Sequence, residues 1–481
     1  MKKRTKTLLF LSLAAIFTLS APLAVFYSLG WRFDWQEKKI TQPGILFFKV
    51  LPKSSQIYIN GKLKKKTDFF FGSALIDNLT PKKYEIEIKK DGFLPWKKTL
   101  EIKKGQATEA KNIVLFKEQN EFKSISEKTE KFFVSPSQNQ IIAQETSTKD
   151  ADWTLYSFNV SSDAKTNLIS KNDILLAKNS GSDPKSLLNP KNTITGKEKI
   201  ELAGLTFSSD SKKILLKISL DSKIKFYVLE ASQLALINLQ ETADIKNAYF
   251  NPKNSQKILF LKSNSLYEKN LSDSKIPALV KESILFFSII NNDIFYITKQ
   301  GFVFRTNYDF SENDKINNTA LPVKNTDGFD IIYSNPYLFL TINNSLYKLE
   351  EESGNFSLFF EPIKKSGFSH DSKKIFYYND KELWVLFLEK IYEQPEKEKE
   401  ERLFITRTSE IISNVFWLND HYLVFYSENK IKVAEIDSRD KINIFDIAEL
   451  KNAEIFWSEI YKKLFVFSDK NFLYSDKIIN Y

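Results

Sequence analysis

Between residues 121 and 481 one short pattern recurs eight times: an aromatic residue, a polar turn, then three to five mostly apolar residues. Phe133-Val134-Ser135-Pro136 leads to Ile141-Ile142-Ala143, and Phe207-Ser208-Ser209-Asp210-Ser211 leads to Ile214-Leu215-Leu216. Phe250, Phe287, Tyr333, Phe368, Phe416 and Phe456 open the other six units. A second strand-like run rich in Leu, Tyr or Trp often follows, as at 153–158 and 383–386. The units stand roughly 35 to 48 residues apart, after a longer first gap of about 74. Asp, Ser, Asn and Pro behind the aromatic residue supply turn chemistry. The apolar run that follows is long enough for an inner strand buried between neighbouring sheets. Units of this length, built from short strands, predict the blades of a β-propeller. Eight motifs favour eight blades, although a ring that combines strands from both chain ends leaves seven. The long first gap predicts a polar, turn-rich insert near 170–199, and the Glu/Lys run at 393–402 a second, charged loop. Both are expected as exposed, mobile excursions from one rim.

The composition agrees with a mainly β chain of two or three domains. Of 481 residues 42% are hydrophobic and 14% aromatic, with 41 Phe against 13 Gly and 14 Pro, which excludes a flexible or collagen-like polymer. The net charge of +10 arises from 70 basic and 60 acidic residues spread along the chain, and nearly all the cations are Lys. A nucleic-acid binder concentrates its charge in a stripe with Arg at base-reading positions, so no nucleic-acid partner is expected. The absence of Cys removes disulfides, thiolate metal sites and thiol nucleophiles together. Two His, His370 and His421, leave little for zinc or a Ser/His/Asp triad.

Lys2, Lys3, Arg4 and Lys6 precede an uncharged apolar run from Leu8 to Leu29. That run is about 22 residues, or roughly 33 Å of helix, enough to cross the hydrocarbon core. The basic cluster predicts a cytoplasmic tail over 1–7, a transmembrane helix over 8–29 and everything beyond outside the cytoplasm. Trp31 and Trp35, with Phe33 between them, fall where an interfacial aromatic belt belongs. A cleaved signal peptide competes with this reading. The small residues at Ser20-Ala21-Pro22-Leu23-Ala24 form no clean cleavage site, and the apolar run continues past them, which favours a retained single-pass anchor. Both readings place the bulk of the chain outside the cytoplasm.

After a linker over 30–43, residues 44–118 read as several short antiparallel strands divided by turns, forming a compact sandwich. Gln56-Ile57-Tyr58-Ile59 ends at Asn60-Gly61, a strong hairpin signal because both turn positions tolerate positive φ. Tyr84-Glu85-Ile86-Glu87-Ile88 alternates as one buried and one wet face require. Val50-Leu51-Pro52, Ile57 to Lys62, Thr67, Leu79-Thr80-Pro81 with Tyr84, and Lys90-Asp91-Gly92-Phe93 with Trp96 together resemble the PEGA domain. That family is a small β-sandwich on bacterial and archaeal surface proteins. Lys82-Lys83 departs from it where a Gly usually precedes the aromatic residue. The resemblance implies a surface, adhesive or spacer role and no catalytic residues. An insert over 62–72 lengthens one loop and carries Lys64, Lys65 and Lys66 followed by Phe69, Phe70 and Phe71. It reads as a partner-contact patch beside the membrane, or as solvated Lys with the Phe folded back onto the sandwich; the second is favoured. The units at 207–216 and 368–377 resemble the WD40-like and TolB-type propeller repeats of bacterial envelope proteins.

Asp371, Asp420 and Glu459 fall in comparable turns, as do His370 and His421, but a turn Asp ordinarily caps backbone amides. With no third metal ligand, phosphate loop or nucleophile elbow, no catalytic, cofactor or metal residue is assigned. The expectation is a non-enzymatic, membrane-anchored binding or scaffold protein of the cell envelope. Its partners would be the bilayer and an envelope protein or polysaccharide such as peptidoglycan. The alternative is an envelope glycan or peptide hydrolase. Asp, Glu and His clustered at the channel mouth would favour the hydrolase, and channel walls of Phe, Ser and Lys would favour binding.

Overall fold

A computed structural model describes residues 3–28, 30–34, 38–146, 152–179, 199–230, 233–237, 245–273 and 275–479. The first element is helix α1 (Lys3–Ser28), whose segment Thr5–Ser28 has a mean hydropathy of 2.2 and no buried part. An apolar helix of 24 residues with no buried share is long enough to cross a bilayer, and a signal sequence has the same length and composition. Pro22 sits inside it without ending it. Of the expected anchor residues, Leu8 is exposed on the helix, while Leu29 and Trp35 lie outside the described residues. Trp31 is half-buried: its ring stands edge-on to Phe26 and lies 4.3 Å from the Lys104 ammonium. The linker carries structure of its own, since β1 (Arg32–Asp34) pairs antiparallel with β2 (Lys39–Thr41).

Two sheets follow. In one, β3 (Gly44–Leu51) lies between β6 (Ser73–Leu79) and β9 (Ala107–Val114). In the other, the order is β5 (Lys62–Lys66), β4 (Gln56–Ile59), β7 (Lys83–Lys89), β8 (Trp96–Glu101). Alternation sends Leu46, Phe48 and Val50 of β3 and Tyr84, Ile86 and Ile88 of β7 into one core. Asn60 and Gly61 both take positive φ, and Asn60 Oδ1 accepts from the Glu85 amide at 3.0 Å. Two expectations need correction. β3 and β9 run parallel, so the unit is not wholly antiparallel. Residues 62–66, expected in a loop, form an exposed edge strand paired with β4.

The described residues between 122 and 475 build eight four-stranded antiparallel sheets, which we number I to VIII. Sheets I to VII take consecutive strands from 129–170, 200–237, 245–282, 284–315, 329–360, 365–407 and 413–449. Sheet VIII takes three strands from 454–475 and is completed by β10 (Phe122–Ser126), which pairs with Asn471–Ser475. Each unit of the repeat coincides with one sheet. Its aromatic residue lies in the first strand, and the apolar run forms the second strand, one place further from the axis than the inner position expected.

Face-to-face packing closes the sheets into a ring. Ile142 and Trp153 of I pack with Leu202 and Leu216 of II, and Leu215 and Phe226 of II with Phe250 and Phe260 of III. The chain of contacts continues through Leu261 with Tyr296, Phe295 with Leu340, Phe339 with Tyr377, Phe376 with Trp417 and Val424 with Val466. Phe465 and Phe472 of VIII then meet Ile141 and Phe158 of I. Sequential meanders stacked face to face around a closed ring are a β-propeller architecture.

Both inserts differ from expectation. Where the described residues reach into 170–199, helix α2 (Lys171–Asn179) begins, and Ile174 and Leu175 are buried against sheets I and II. Ser170 and Asp173 form a reciprocal capping box: Asp173 Oδ2 accepts from the Ser170 amide at 2.6 Å, and Ser170 Oγ accepts from the Asp173 amide at 3.4 Å. The remainder, including 180–198, lies outside the described residues. The 393–402 loop is docked: Gln394 accepts from the Glu109 amide (2.9 Å) and donates to the Ala107 carbonyl (3.0 Å). Lys397 is buried and paired with Glu401 at 2.6 Å, and Arg402 already belongs to a strand.

Candidate functional site

Strand direction divides the ring into two rims. In sheet VII the strands run 413–419, 422–427, 430–435 and 444–449. Its first turn (420–421) and third loop (436–443) therefore share one rim, and its second turn (428–429) lies on the other. First strands contact one another from sheet to sheet, as 365–368 does with 413–419 and 413–419 with 454–458, so they line the axis.

The first-turn rim carries the residues singled out from the sequence. His370 Nε2 lies 3.1 Å from Glu459 Oε2 and His370 Nδ1 3.7 Å from Asp420 Oδ1, joining sheets VI, VII and VIII. Asp420 Oδ1 also accepts from the Asp371 amide at 3.0 Å. Asp371 accepts from Ser369 Oγ at 2.5 Å and the Lys373 amide at 3.0 Å, and pairs with Lys374 Nζ at 2.6 Å. Burial disfavours its charge, but the Lys374 and Ser369 hydrogen bonds prevail and hold the carboxyl below its ordinary range. On the next sheet, Ser458 Oγ donates to Gln138 Oε1 at 2.9 Å. The turn acids thus cap amides and tie sheets together. His421 does not join His370; it is turned toward the sandwich, where burial and then Lys374 favour its neutral form. Among the described residues no group of three or more His, Asp or Glu could hold a metal ion.

The axial wall is aromatic and mixed in charge. Phe286 pairs with Phe329, and Phe416 with Phe456, each at 5.8 Å, and Lys365 Nζ lies 6.0 Å from the Phe416 ring. Asp330 on the same wall has solvent at its surface but protein on its flanks, and this burial pushes its carboxyl up.

The sandwich is fixed to the first-turn rim at sheet VII. Lys98, with no exposed side-chain surface, donates to Glu435 Oε1 (2.6 Å) and to the Asp437 and Lys441 carbonyls (both 2.8 Å). Glu435 also accepts from Trp96 Nε1 (2.8 Å), the Asn443 amide (3.0 Å) and Asn443 Nδ2 (2.8 Å). Burial pushes the Glu435 carboxyl up against the pull of Lys98. Arg439 donates to the Glu109 carbonyl at 2.6 Å, and the Val114 amide donates to Tyr422 Oη at 3.0 Å. A cleft at this joint is lined by Trp96, Ile113, Phe387, His421, Tyr422 and Arg439. Nothing in the sequence links Lys98 to Glu435, which lie 337 residues apart.

The opposite rim carries shallow depressions between sheets V and VI, at Asn343, Pro362, Asp380 and Arg407, and between VI and VII, at Lys381, Ile411 and Glu428. Ile411 is exposed there. Hydrogen bonds from the Ser409 hydroxyl and amide, then from Lys432, hold the Glu428 carboxyl at about 2.

The expected contact loop also differs from the favoured reading. Lys64, Lys65 and Lys66 are exposed, and Phe69, Phe70 and Phe71 do not fold back: they are 72%, 74% and 74% exposed. Asp68 holds the loop, accepting from the Phe70 (2.9 Å), Phe71 (2.6 Å) and Ser73 (2.7 Å) amides. These bonds and that from the Ser73 hydroxyl lower its carboxyl to about 2.

No protein-family profile matches the chain, and no curated protein matches it. Solved structures similar to it include the Dos1 propeller (13% identity, TM-score 0.46, 74% of this chain and 95% of that one). Saccharomyces cerevisiae Sqt1 (9%, 0.45, 75% and 100%) and the Myceliophteria thermophila Cps50 (Swd1) propeller domain (7%, 0.39, 74% and 99%) are others. These likenesses are low, and the architecture rests on the strand order and ring packing of the chain itself.

Proposed function

We propose that the chain is a membrane-anchored docking protein of the cell envelope. In this reading an eight-bladed propeller is held off the bilayer by a PEGA-like sandwich, and its partner, a protein or a polysaccharide, seats on the rim turned away from the sandwich. The observation that carries this is the buried joint around Lys98 and Glu435, which commits the first-turn rim at sheet VII to the sandwich and leaves the opposite rim, with exposed Ile411, free. A rim assembled from many short turns on rigid sheets suits docking. A photo-crosslinking residue at Ile411 in native membranes should capture one enriched partner, and the same probe at Asp163, in a turn of the first-turn rim, should not. Equal capture from both positions would refute the assignment.

The His370–Glu459–Asp420 cluster favours a second reading, a hydrolase of glycan or peptide. Its carboxylates are engaged in tying the sheets, so we rank it behind docking. Product released from a glycan or peptide panel by the parent chain, and lost in Glu459→Gln, would reverse that order.

A further inference from the structure

We propose that one long side of the sandwich is a second membrane contact, lying on the headgroups of the bilayer that holds α1 and seating the Phe69–Phe71 tip in its interface. This rests on the reading of α1 as a retained anchor. The side is formed by edge strands β5 and β6, one from each sheet, which come together where Lys65 Nζ donates to the Leu75 carbonyl at 3.0 Å. Leu63 and Leu75 are exposed on these strands, with Phe69, Phe70 and Phe71 in the loop that joins them. The two strands, KLKKK and SALIDNL, carry four Lys and a single acid, Asp77. The loop that joins them adds one acid, Asp68, which is spent on its own loop. Aromatic rings beside lysines are the chemistry of an anionic lipid interface, where the rings enter the headgroup boundary and the ammonium groups meet phosphates.

The loop is built to hold its rings outward. Gly72, at φ +68, lies so close to the Val50 carbonyl that a Cβ would stand 2.4 Å from that oxygen, and Phe69 packs edge-on to Phe70 at 5.6 Å. The position agrees with a surface lying along the bilayer. The end of β3 at Gly44 adjoins Lys103 and Gln106, close to the contact of Lys104 with Trp31 at the end of α1. The Phe tip lies at the other end of β3, about 23 Å away at the rise of a β-strand. A sandwich standing upright would hold the tip clear of the membrane, whereas one lying on its β5/β6 side brings Lys and Phe to the surface together. The tether through α1 supplies the high local concentration that makes a modest contact effective.

The absence of Cys allows a direct test on the full chain. Phe70→Cys, labelled with an environment-sensitive fluorophore, is reconstituted in phosphatidylcholine/phosphatidylglycerol vesicles, with Leu13→Cys in α1 as the anchor control. The expected result is a blue-shifted Phe70 label quenched by doxyl-labelled lipid, with quenching reduced severalfold in pure phosphatidylcholine and in a variant with Lys62, Lys64, Lys65 and Lys66 changed to Gln. A Phe70 label that stays in water while the Leu13 label is quenched overturns the second contact and leaves the anchor standing. A Leu13 label in water removes the anchor and this proposal with it. A Phe70 label that is blue-shifted in the vesicles but not quenched by doxyl-labelled lipid, indicating a second copy over the Phe tip, also overturns it.

Discussion

Replacing Lys98 by Met should open the joint between sandwich and ring without unfolding either part. The Lys98 ammonium has three protons and three acceptors, Glu435 Oε1 and the Asp437 and Lys441 carbonyls, all within 2.8 Å. Methionine keeps the packing volume but strands the Glu435 carboxylate, which is 4% exposed and keeps only Trp96 and Asn443 as donors. Breaking a buried pair from one side costs about 3–5 kcal/mol. If most of that falls on the closed state, the open population rises by roughly 10² to 10³-fold or more, at 1.4 kcal/mol per decade. The readout is tryptic cleavage at Lys117 in the connector, in mild detergent, with the new N-terminus identified by mass spectrometry. When reclosing outpaces cleavage, the rate follows the open population. The double variant Lys98→Met/Glu435→Gln removes both charges, keeps an acceptor for Trp96 and Asn443, and should recover most of the loss, because burial outweighs the attraction of Lys98 at Glu435. Cleavage of Lys98→Met within about threefold of the parent, or a double variant as fast as the product of the two single effects, would refute the reasoning.

Gly367→Ala would place a Cβ 2.8 Å from the Phe376 ring, an overpacking worth about 1–3 kcal/mol that should lower Tm by several degrees in a thermal scan. Ser124→Cys with Leu473→Cys should oxidise to an intramolecular disulfide seen as a mobility shift, because the two are register partners in the closing sheet. Asp68, held at about 2 against an ordinary 3.8, adds order to its loop that is complete above 3.8 and lost as pH falls toward 2. Amide exchange at Phe70, Phe71 and Ser73 should therefore lose protection only in that acid window, and Asp68→Asn should abolish the dependence.

The ring was legible because each blade begins with the same local device. An aromatic residue lies in the first strand, Ser/Asp/Asn/Pro turn the chain, and an apolar run returns it. The third strand was often readable as well. Fourth strands were not: Asn355–Phe360 and Ala278–Glu282 are mostly exposed or half-buried and lack the pattern of a core strand. Helix α2 carried a readable signal in Ser170-Lys171-Asn172-Asp173, overridden by the polar stretch behind it. The Phe tip could not be placed from composition, because burying or exposing it depends on how Asp68 folds the loop. The joint was invisible for a different reason: alternation puts Lys98 on the buried face with Trp96 and Leu100, and nothing in the sequence says that Glu435 meets it there. At the rim, turn positions grouped Asp371 with Asp420 and Glu459, and His370 with His421; the structure instead sets His370 against Asp420 and Glu459, while the His421 side chain faces the sandwich.

The closing of sheet VIII by β10 has a consequence for synthesis. Phe122–Ser126 leaves the ribosome more than 300 residues before its partner Asn471–Ser475, and over that interval the first-made strand has no mate. A premature stop codon at position 471, which of all the strands removes only the one that β10 pairs with, would therefore do more than shorten the chain. It would leave both ends of the circle with raw strand edges, and such molecules should appear in cells as aggregates or degradation products rather than as slightly smaller functional proteins.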